Sequence, residues 1–320
     1  MPMDVSVIVL TYNADLAELK RTLCSVMLQQ GVSFEIIIAD DGSKTNHEEE
    51  LKAFFASQHF ADYSLVLNSE NHGTVINVIS GVEKSSGKYV KLISPGDYLY
   101  DELSLKRLFD QAELNKAALV FGDVLFFDSG EEKIVPIRKS AKPRTVRCYT
   151  PDAYDPKKIC RNYLILDDYF HGISTLADRT VFLDHLKRIE GKVIYCEDLS
   201  YRLMAYGSVK MIYCPFVVAM YGYGQGISTS GSSKWEERMQ NDRNAANKVI
   251  LSDACPDDGF YKLLRQAFEE RYSGDRSRMK KFFLKHPSLL FSKLKIEWFP
   301  RYTTLEYNEE FAEKVFEIVK

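Results

Sequence analysis

Two short apolar runs in this 320-residue chain end in residues that can hold a ligand. Val5-Ser6-Val7-Ile8-Val9-Leu10 breaks into Thr11-Tyr12-Asn13, and Phe34 to Ala39 breaks into Asp40-Asp41-Gly42-Ser43. Runs rich in β-branched residues that end in polar groups read as adjacent parallel strands whose carboxyl ends share one crevice, the place where open α/β sheets bind ligands. Carboxylates and amides there suit a nucleotide better than a metal cluster. Asp40-Asp41-Gly42-Ser43 also makes an ordinary turn with a helix cap. Farther along stand Asn71-His72-Gly73, Ser94-Pro95-Gly96-Asp97, Phe170-His171-Gly172 and Glu197-Asp198. The Glu197-Asp198 pair offers a carboxylate for proton transfer, and it equally fits a helix start, where the dipole favours acidic residues.

Positioning those residues calls for alternating strands and helices. After the first strand, Leu16, Leu19, Leu23, Val26 and Met27 give a helix. Strand 34 to 39 precedes a polar helix over Glu48 to Ser57, and strand Ser64 to Asn68 leads through Asn71-His72-Gly73 into a helix with Val75, Val78, Ile79 and Val82. Ser85-Ser86-Gly87 stops that helix, strand Tyr89 to Ile93 runs into Ser94-Pro95-Gly96-Asp97, and helix Glu102 to Asn115 and strand Ala118 to Phe127 follow. This order predicts an α/β fold with a doubly wound, mostly parallel sheet. Lys133 to Pro156, rich in Lys, Arg and Pro, reads as a loop or mobile excursion near the site. Phe170 to Thr175 reads as a strand or strand edge, Arg179 to Lys187 as a helix, Ile212 to Met220 as a buried strand, and the chain from Trp235 onward as a helical C-terminal annex.

Composition narrows the classes. With 45% hydrophobic and 27% charged residues the chain is an ordinary globular protein, and a net charge of −3 argues against broad nucleic-acid binding. The six cysteines show no C-x-x-C pairing and sit mostly in apolar runs, as buried thiols do in a reducing compartment. Met1-Pro2-Met3-Asp4 has no basic region of a signal peptide, and no window is long and apolar enough to span a bilayer, which places the protein in the cytoplasm.

Taken in order and spacing, Val5 to Asn13, Ile36 to Ser43, Asn71-x-Gly73, Gly81, Ser86-Gly87-x-Tyr89 and Glu197-Asp198 resemble the family-2 inverting glycosyltransferases of the GT-A fold. The resemblance implies a catalytic domain over 1–231, with a nucleotide-binding half at about 1–127 and an acceptor half at about 128–231, followed by a helical region over 232–320. It implies a nucleotide-sugar donor, UDP-linked, and a glycan or lipid-linked acceptor of the surface-polysaccharide kind. Thr11, Tyr12, Asn13, Asp41, Gly42, Ser43, Asn71 and Gly73 would border the nucleotide. The Tyr12 ring would stack on the base, and the Asp41 carboxylate, exposed before the ligand arrives, would accept its N–H. Asp198 would be the general base, and His171 and Glu197 would face the acceptor.

The family's acidic metal motif falls at Ser94-Pro95-Gly96-Asp97, where Ser94 and Gly96 stand in place of carboxylates. Asp97 alone could hold Mg or Mn together with the donor diphosphate, or serve as a turn residue. Asn77-Val78-Ile79 likewise replaces the family's Ala-Arg-Asn. Tyr221 to Gly231, rich in Gly, Tyr and hydroxyls, could close over a sugar diphosphate. Lys234-Trp235 lacks the preceding glutamine of processive relatives, which favours transfer of a single sugar. A sugar nucleotidyltransferase would want a Gly-rich basic loop after the first strand, and Thr11 to Asp15 is neither; a non-catalytic nucleotide-sugar-binding protein would retain the crevice without the metal site. In the C-terminal region, Phe282, Phe283, Leu290, Phe291, Leu294, Trp298 and Phe299 alternate with Lys280, Lys281, Lys285, Lys293 and Lys295. Such a pattern either rests on the inner face of the cell membrane or packs back as an ordinary helical annex.

Overall fold

A computed structural model describes residues 3–128, 133–224, 233–253, 258–272 and 275–317. The strands are β1 (Val5–Thr11), β2 (Phe34–Asp40), β3 (Tyr63–Leu67), β4 (Tyr89–Ile93), β5 (Tyr98–Leu99), β6 (Leu119–Asp128), β7 (Pro136–Ile137), β8 (Thr175–Asp178) and β9 (Met211–Tyr223). The helices are α1 (Leu16–Met27), α2 (Glu48–Ser57), α3 (Thr74–Lys84), α4 (Ser104–Asn115), α5 (Pro156–Leu164), α6 (Arg179–Ile189), α7 (Ser200–Tyr206), α8 (Ser233–Ser252), α9 (Gly259–Tyr272), α10 (Arg276–Lys285), α11 (Pro287–Trp298) and α12 (Glu309–Glu317).

One sheet in the order β3-β2-β1-β4-β8-β6-β9-β5 runs through the molecule, with β7 paired to β6. From β3 to β4 it is wholly parallel, and Thr11 lies opposite Asp40, so the polar strand ends are level. Period-two side chains explain the layers: Val5, Val7 and Val9 pack with Leu19, Leu23, Leu105 and Leu108 on one face, and Ile8 packs with Val75, Val78 and Val82 on the other. The sheet turns mixed beyond β4. There β8 inserts antiparallel between β4 and β6, while β6 and β9 pair in parallel. Simple strand-helix alternation does not register this insertion, because β8 has only four residues and arrives after a long connection.

That connection is packed rather than free. Residues 133–156 carry β7 and two short 3-10 turns, and Tyr149 is fully buried with its ring 5.0 Å from Phe121 and edge-on to Phe170. A single aromatic anchor leaves no periodicity to read. The expected strand edge at Phe170 to Thr175 is a 3-10 turn over Gly172–Ser174 that leads directly into β8.

The C-terminal helices share the main core. Ala246, Ile250, Phe268, Phe282, Phe283, Leu289 and Ile296 belong to the same buried cluster as Ile8, and Phe311 and Val315 of α12 pack on Tyr98 and Met220. The other side of α10 and α11 stays outside: Leu284 is 71% exposed, Phe291 71%, Trp298 69% and Phe299 72%. The packed-annex reading holds for one side of these helices, and the other side carries exposed aromatic and aliphatic residues. Among the described residues no helix is long and apolar enough to cross a membrane. Phe282→Ala is expected to cost about 3 kcal/mol of stability by emptying a core site, whereas Phe291→Ala should leave the denaturant midpoint nearly unchanged. Equal midpoint losses in the two variants would contradict this division of the helices.

Candidate active site

At the ends of β1 and β2 the polar residues first bind one another. The Thr11 hydroxyl donates to Asp40 Oδ2 at 2.9 Å, and Asp40 also accepts from the Ser43 amide (2.8 Å) and hydroxyl (2.6 Å). Ser43 Oγ in turn accepts the Asn13 N–H at 2.6 Å, and Asn13 Oδ1 accepts from Lys44 N at 3.0 Å. These bonds tie the two turns into one ledge, above which the Tyr12 ring is 54% exposed and open to stacking.

Asp41 differs from expectation. Its carboxyl is buried, at 4% exposure, because Oδ1 accepts the His72 N–H and Oδ2 the Gly73 N–H, both at 2.9 Å. Each oxygen keeps a second acceptor direction, so a ligand N–H can still be read there. Gly42 and Gly73 serve the same closeness of backbones. Both have positive φ, and a Cβ on Gly42 would come within 2.3 Å of the Glu70 backbone, while one on Gly73 would meet Ile194 at 2.4 Å. The Asn71 side chain is exposed beside them. Asn77, where the family carries a different residue, holds the Ala39 carbonyl at 2.8 Å and so supports the end of β2.

Ile194 begins the segment that delivers the acidic pair. Its carbonyl accepts the Val75 N–H at 3.0 Å, and Asp242 of α8, itself buried, accepts the N–H groups of Ile194, Tyr195 and Cys196 at 3.0, 2.7 and 3.0 Å. Glu197 and Asp198 then open a 3-10 turn that runs into α7. The backbone of Gly172 passes against them: a Cβ there would stand 3.7 Å from Glu197 Oε1 and 3.8 Å from Asp198 Cβ. Both carboxyls are crowded by protein yet partly exposed, as on the floor of a cleft.

Their environments are unequal. Burial and the neighbouring Asp198 carboxylate push Glu197 up to about 8. Burial also raises Asp198, but Arg202 and Arg243 pull it back, so Asp198 is the member that ionises first. His171 sits in an aromatic wall of Phe126, Tyr221 and Tyr169, with ring centroids 5.4, 5.9 and 6.2 Å away. Burial, helped by Lys142, lowers it to about 4, so it is neutral at physiological pH.

Asp97 lies below the crevice at 8% exposure, and its Oδ1 accepts the Gly222 N–H at 2.9 Å, tying the end of β4 to the end of β9. Burial raises it to about 8, against the pull of Gly222 and Lys91. Lys91 is fully buried, lowered by its own burial to about 7, and donates to the carbonyls of Leu92 and Ile173. With Ser94 and Gly96 lacking carboxylates, this donor set does not fit a resident divalent ion. Among the described residues no group of three or more His, Cys, Asp or Glu side chains could hold one. Of the Tyr221 to Gly231 segment, residues 225–231 lie outside the described residues, and Tyr221 and Tyr223 form the end of β9 against Phe126.

Sequence reasoning missed Lys91, and it missed Asp242, Arg243 and Lys142, whose partners are far away in the chain. Arg202 was within reach, since it stands four residues after Asp198, the spacing that puts two side chains on one helix face. Because Asp41 bonds two backbone N–H groups, Asp41→Ala is expected to lower stability by about 2 kcal/mol as well as weaken nucleotide binding. Thermal melts of the ligand-free variant check this, and an unchanged Tm would leave Asp41 as a ligand contact alone.

A family model described as glycosyl transferase family 2 matches residues 6–177. An undecaprenyl-phosphate 4-deoxy-4-formamido-L-arabinose transferase of Pseudomonas aeruginosa is 37% identical over 92 residues, 28% of this chain and 27% of that protein. An uncharacterized glycosyltransferase of Mycoplasma pneumoniae is 30% identical over 99 residues, 30% of this chain and 33% of its own. The chain thus spans a third or less of these curated relatives. Among solved structures, S. aureus TarS 1-349 in complex with UDP-GlcNAc aligns with a TM-score of 0.57 at 15% identity, over 92% of this chain and 81% of that one. A mannosyltransferase from Pyrobaculum calidifontis in complex with GDP-Man and Mn2+ aligns at 0.58 and 12%, over 100% and 86%. At such identities the likeness shows the fold alone, the GT-A fold. With the family model covering more than half of the chain, the chain belongs to glycosyl transferase family 2, whose members transfer sugar from a nucleotide sugar.

Proposed function

We propose that the protein is an inverting transferase that moves one sugar from a nucleoside-diphosphate sugar, UDP-linked, to a hydroxyl of a glycan or lipid-linked acceptor, with Asp198 as general base. The observation that carries this reading is the unequal acidic pair. Asp198 has two cations to favour its ionised form, while Glu197 retains its proton toward neutral pH and can orient the acceptor by donating it in a hydrogen bond. Asp198 takes the proton of the acceptor hydroxyl while that oxygen attacks the anomeric carbon, and the bond to the diphosphate breaks on the opposite face. The donor rests on the ledge of Thr11, Tyr12, Asn13 and Ser43, its base stacked on Tyr12 and its N–H directed at Asp41. His171 and Tyr221 wall the acceptor side. A UDP donor is supported by the fold shared with the UDP-GlcNAc complex of TarS, and a lipid-linked acceptor by the name of the Pseudomonas relative.

Asp198→Asn is expected to cut turnover by ~10²-fold or more while nucleotide affinity persists. The acidic limb of kcat/KM should lie above that of an ordinary aspartate, because burial raises Asp198 and activity appears only as rising pH removes its proton. Near-normal turnover in a folded Asp198→Asn protein, across a panel of nucleotide sugars, would remove Asp198 from the mechanism; binding without turnover in the native chain would favour a non-catalytic sugar-nucleotide binder.

A lipid-linked acceptor also gives a use to the exposed side of α10 and α11. Leu284, Phe291, Trp298 and Phe299 project there, and Lys280, Lys281, Lys285 and Lys295 are exposed on the same two helices. This pairing suits an anionic membrane surface, each lysine near it contributing about 1 kcal/mol. Since Phe282 and Phe283 belong to the core, truncation would unfold the protein and point variants are the better probe. The full chain should pellet with anionic vesicles at low salt, and Phe291→Ser with Trp298→Ser should abolish it; no pelleting of the native chain would end the membrane reading.

A further inference from the structure

Asp198 also borders a group of cations that the transfer step does not use. Arg202 of α7, Arg243 of α8, Arg271 of α9 and Lys142 from the connection before α5 all bear on the carboxylate of Asp167. The first two bear on Asp198 as well. Four separate elements supply them.

Their hydrogen bonding is incomplete. Arg202 is 3% exposed; its Nη1 donates to Asn247 Oδ1 at 3.1 Å, while its buried Nη2 has no hydrogen-bond acceptor and lies 3.7 Å from Asp167 Oδ1. Arg271 approaches the same oxygen at 3.6 Å with Nη1 and donates to the Ile165 carbonyl with Nη2 at 2.9 Å. The Nε of Arg243 is buried without an acceptor. Lys142 stands over the Tyr169 ring at 4.8 Å, and Tyr169 in turn touches His171.

Two of the nearby carboxylates direct their oxygens to backbone amides instead of to these cations. Asp168 accepts the backbone N–H groups of Arg144 and Thr145, at 2.7 and 2.9 Å, and Asp242 holds the three amides before Glu197. Among the described residues Asp167, half exposed and held at φ 60, faces all four cations, with Arg202 and Arg271 at 3.7 and 3.6 Å, too long for a hydrogen bond. Buried guanidinium N–H groups without acceptors are costly, and a planar fork of donors matches phosphate or carboxylate oxygens. The cations stand on the acceptor side. The charged groups that bear on Asp97 are Lys91 and Glu18, and none of the four cations bonds to the ledge of Thr11, Asn13 and Ser43.

We propose that Arg202, Arg243, Arg271 and Lys142 form an oxyanion subsite for the acceptor, so that the hydroxyl presented to Asp198 belongs to a molecule carrying a phosphate or carboxylate close to the reacting oxygen. This rests on the transferase reading and names the acceptor's chemical class. The same cations that hold the anion help keep Asp198 ionised, so filling the subsite couples acceptor binding to the state of the base. An acceptor without the anion would leave Arg202 and Arg243 unmatched.

Calorimetry on the full chain, saturated with whichever of UDP or GDP binds, tests the subsite with three probes: sn-glycerol 3-phosphate, glucuronate and glycerol. At least one anionic probe is expected to bind, more weakly in high salt, and glycerol is not; the tighter of the two anions tells phosphate from carboxylate. Lys142→Gln and Arg243→Gln should each weaken that probe about tenfold or more with nucleotide affinity unchanged, and Lys142→Arg should restore it. Melting curves of the variants establish that they are folded. Anionic probes that bind no better than glycerol would overturn the proposal, as would variants that weaken probe and nucleotide alike, since the cations would then belong to the donor diphosphate. Failure of the native chain to bind either nucleotide would instead sink the transferase reading, which the probe titration, repeated without nucleotide, leaves separate.

Discussion

Buried carboxylates bonded to backbone amides hold this crevice in shape. Asp41 grips His72 and Gly73, Gly73 packs under Ile194, and Asp242 grips Ile194, Tyr195 and Cys196 just before the acidic pair. An unbroken series of contacts thus runs from the end of β2 to Glu197 and Asp198, through segments more than a hundred residues apart. A charge-assisted bond to a backbone N–H is short and directional, so the two halves are set against each other by geometry that no apolar contact would specify. The glycines follow from this constraint, because two backbones that cross so closely leave no space for a Cβ.

The same low-dielectric setting makes the two members of the acidic pair unequal. Burial acts on both carboxyls, and only Asp198 has guanidinium groups to offset it. One carboxyl inclined to hold its proton beside one inclined to lose it is the arrangement proton transfer asks for. Lys91 and Asp97 form a second buried acid and base beneath the crevice, between the end of β4 and Gly222, with burial pushing each toward its neutral form. Ser94 and Gly96 bring no carboxylate to the end of β4, and the Asp97 carboxyl is engaged in holding β9.

Much of the stretch from β1 to β6 was legible because its strands and helices are regular. The six-residue run before Thr11, the helix start after Gly73 and the stop at Ser85-Ser86-Gly87 fall where β1, α3 and their ends lie. The acceptor half was harder. The short antiparallel β8 gives no alternation long enough to detect, and the 133–156 connection is ordered by buried Tyr149 and by bonds to residues far along the chain, such as Asp168 and Arg301. At the site, Asp41 and Asp198 stood out by their place at strand and helix ends, but the burial of Asp41 depended on amides thirty residues away. Asp242, Arg243 and Lys142 reach the crevice only through the tertiary fold. The lysine and aromatic pattern near the end of the chain was legible as two possibilities, and the fold buries one side of the helices in the core and leaves the other exposed.

The central claim, that the ledge holds the donor base and the acidic pair receives the reacting sugar, is tested most directly by a crystal structure with an intact nucleotide sugar bound. The account predicts the base stacked on Tyr12 with an N–H directed at Asp41, and the anomeric carbon exposed toward Asp198 on the face opposite its diphosphate. A nucleotide seated away from Tyr12 and Asp41, or a sugar whose anomeric carbon is turned from Asp198, would contradict it.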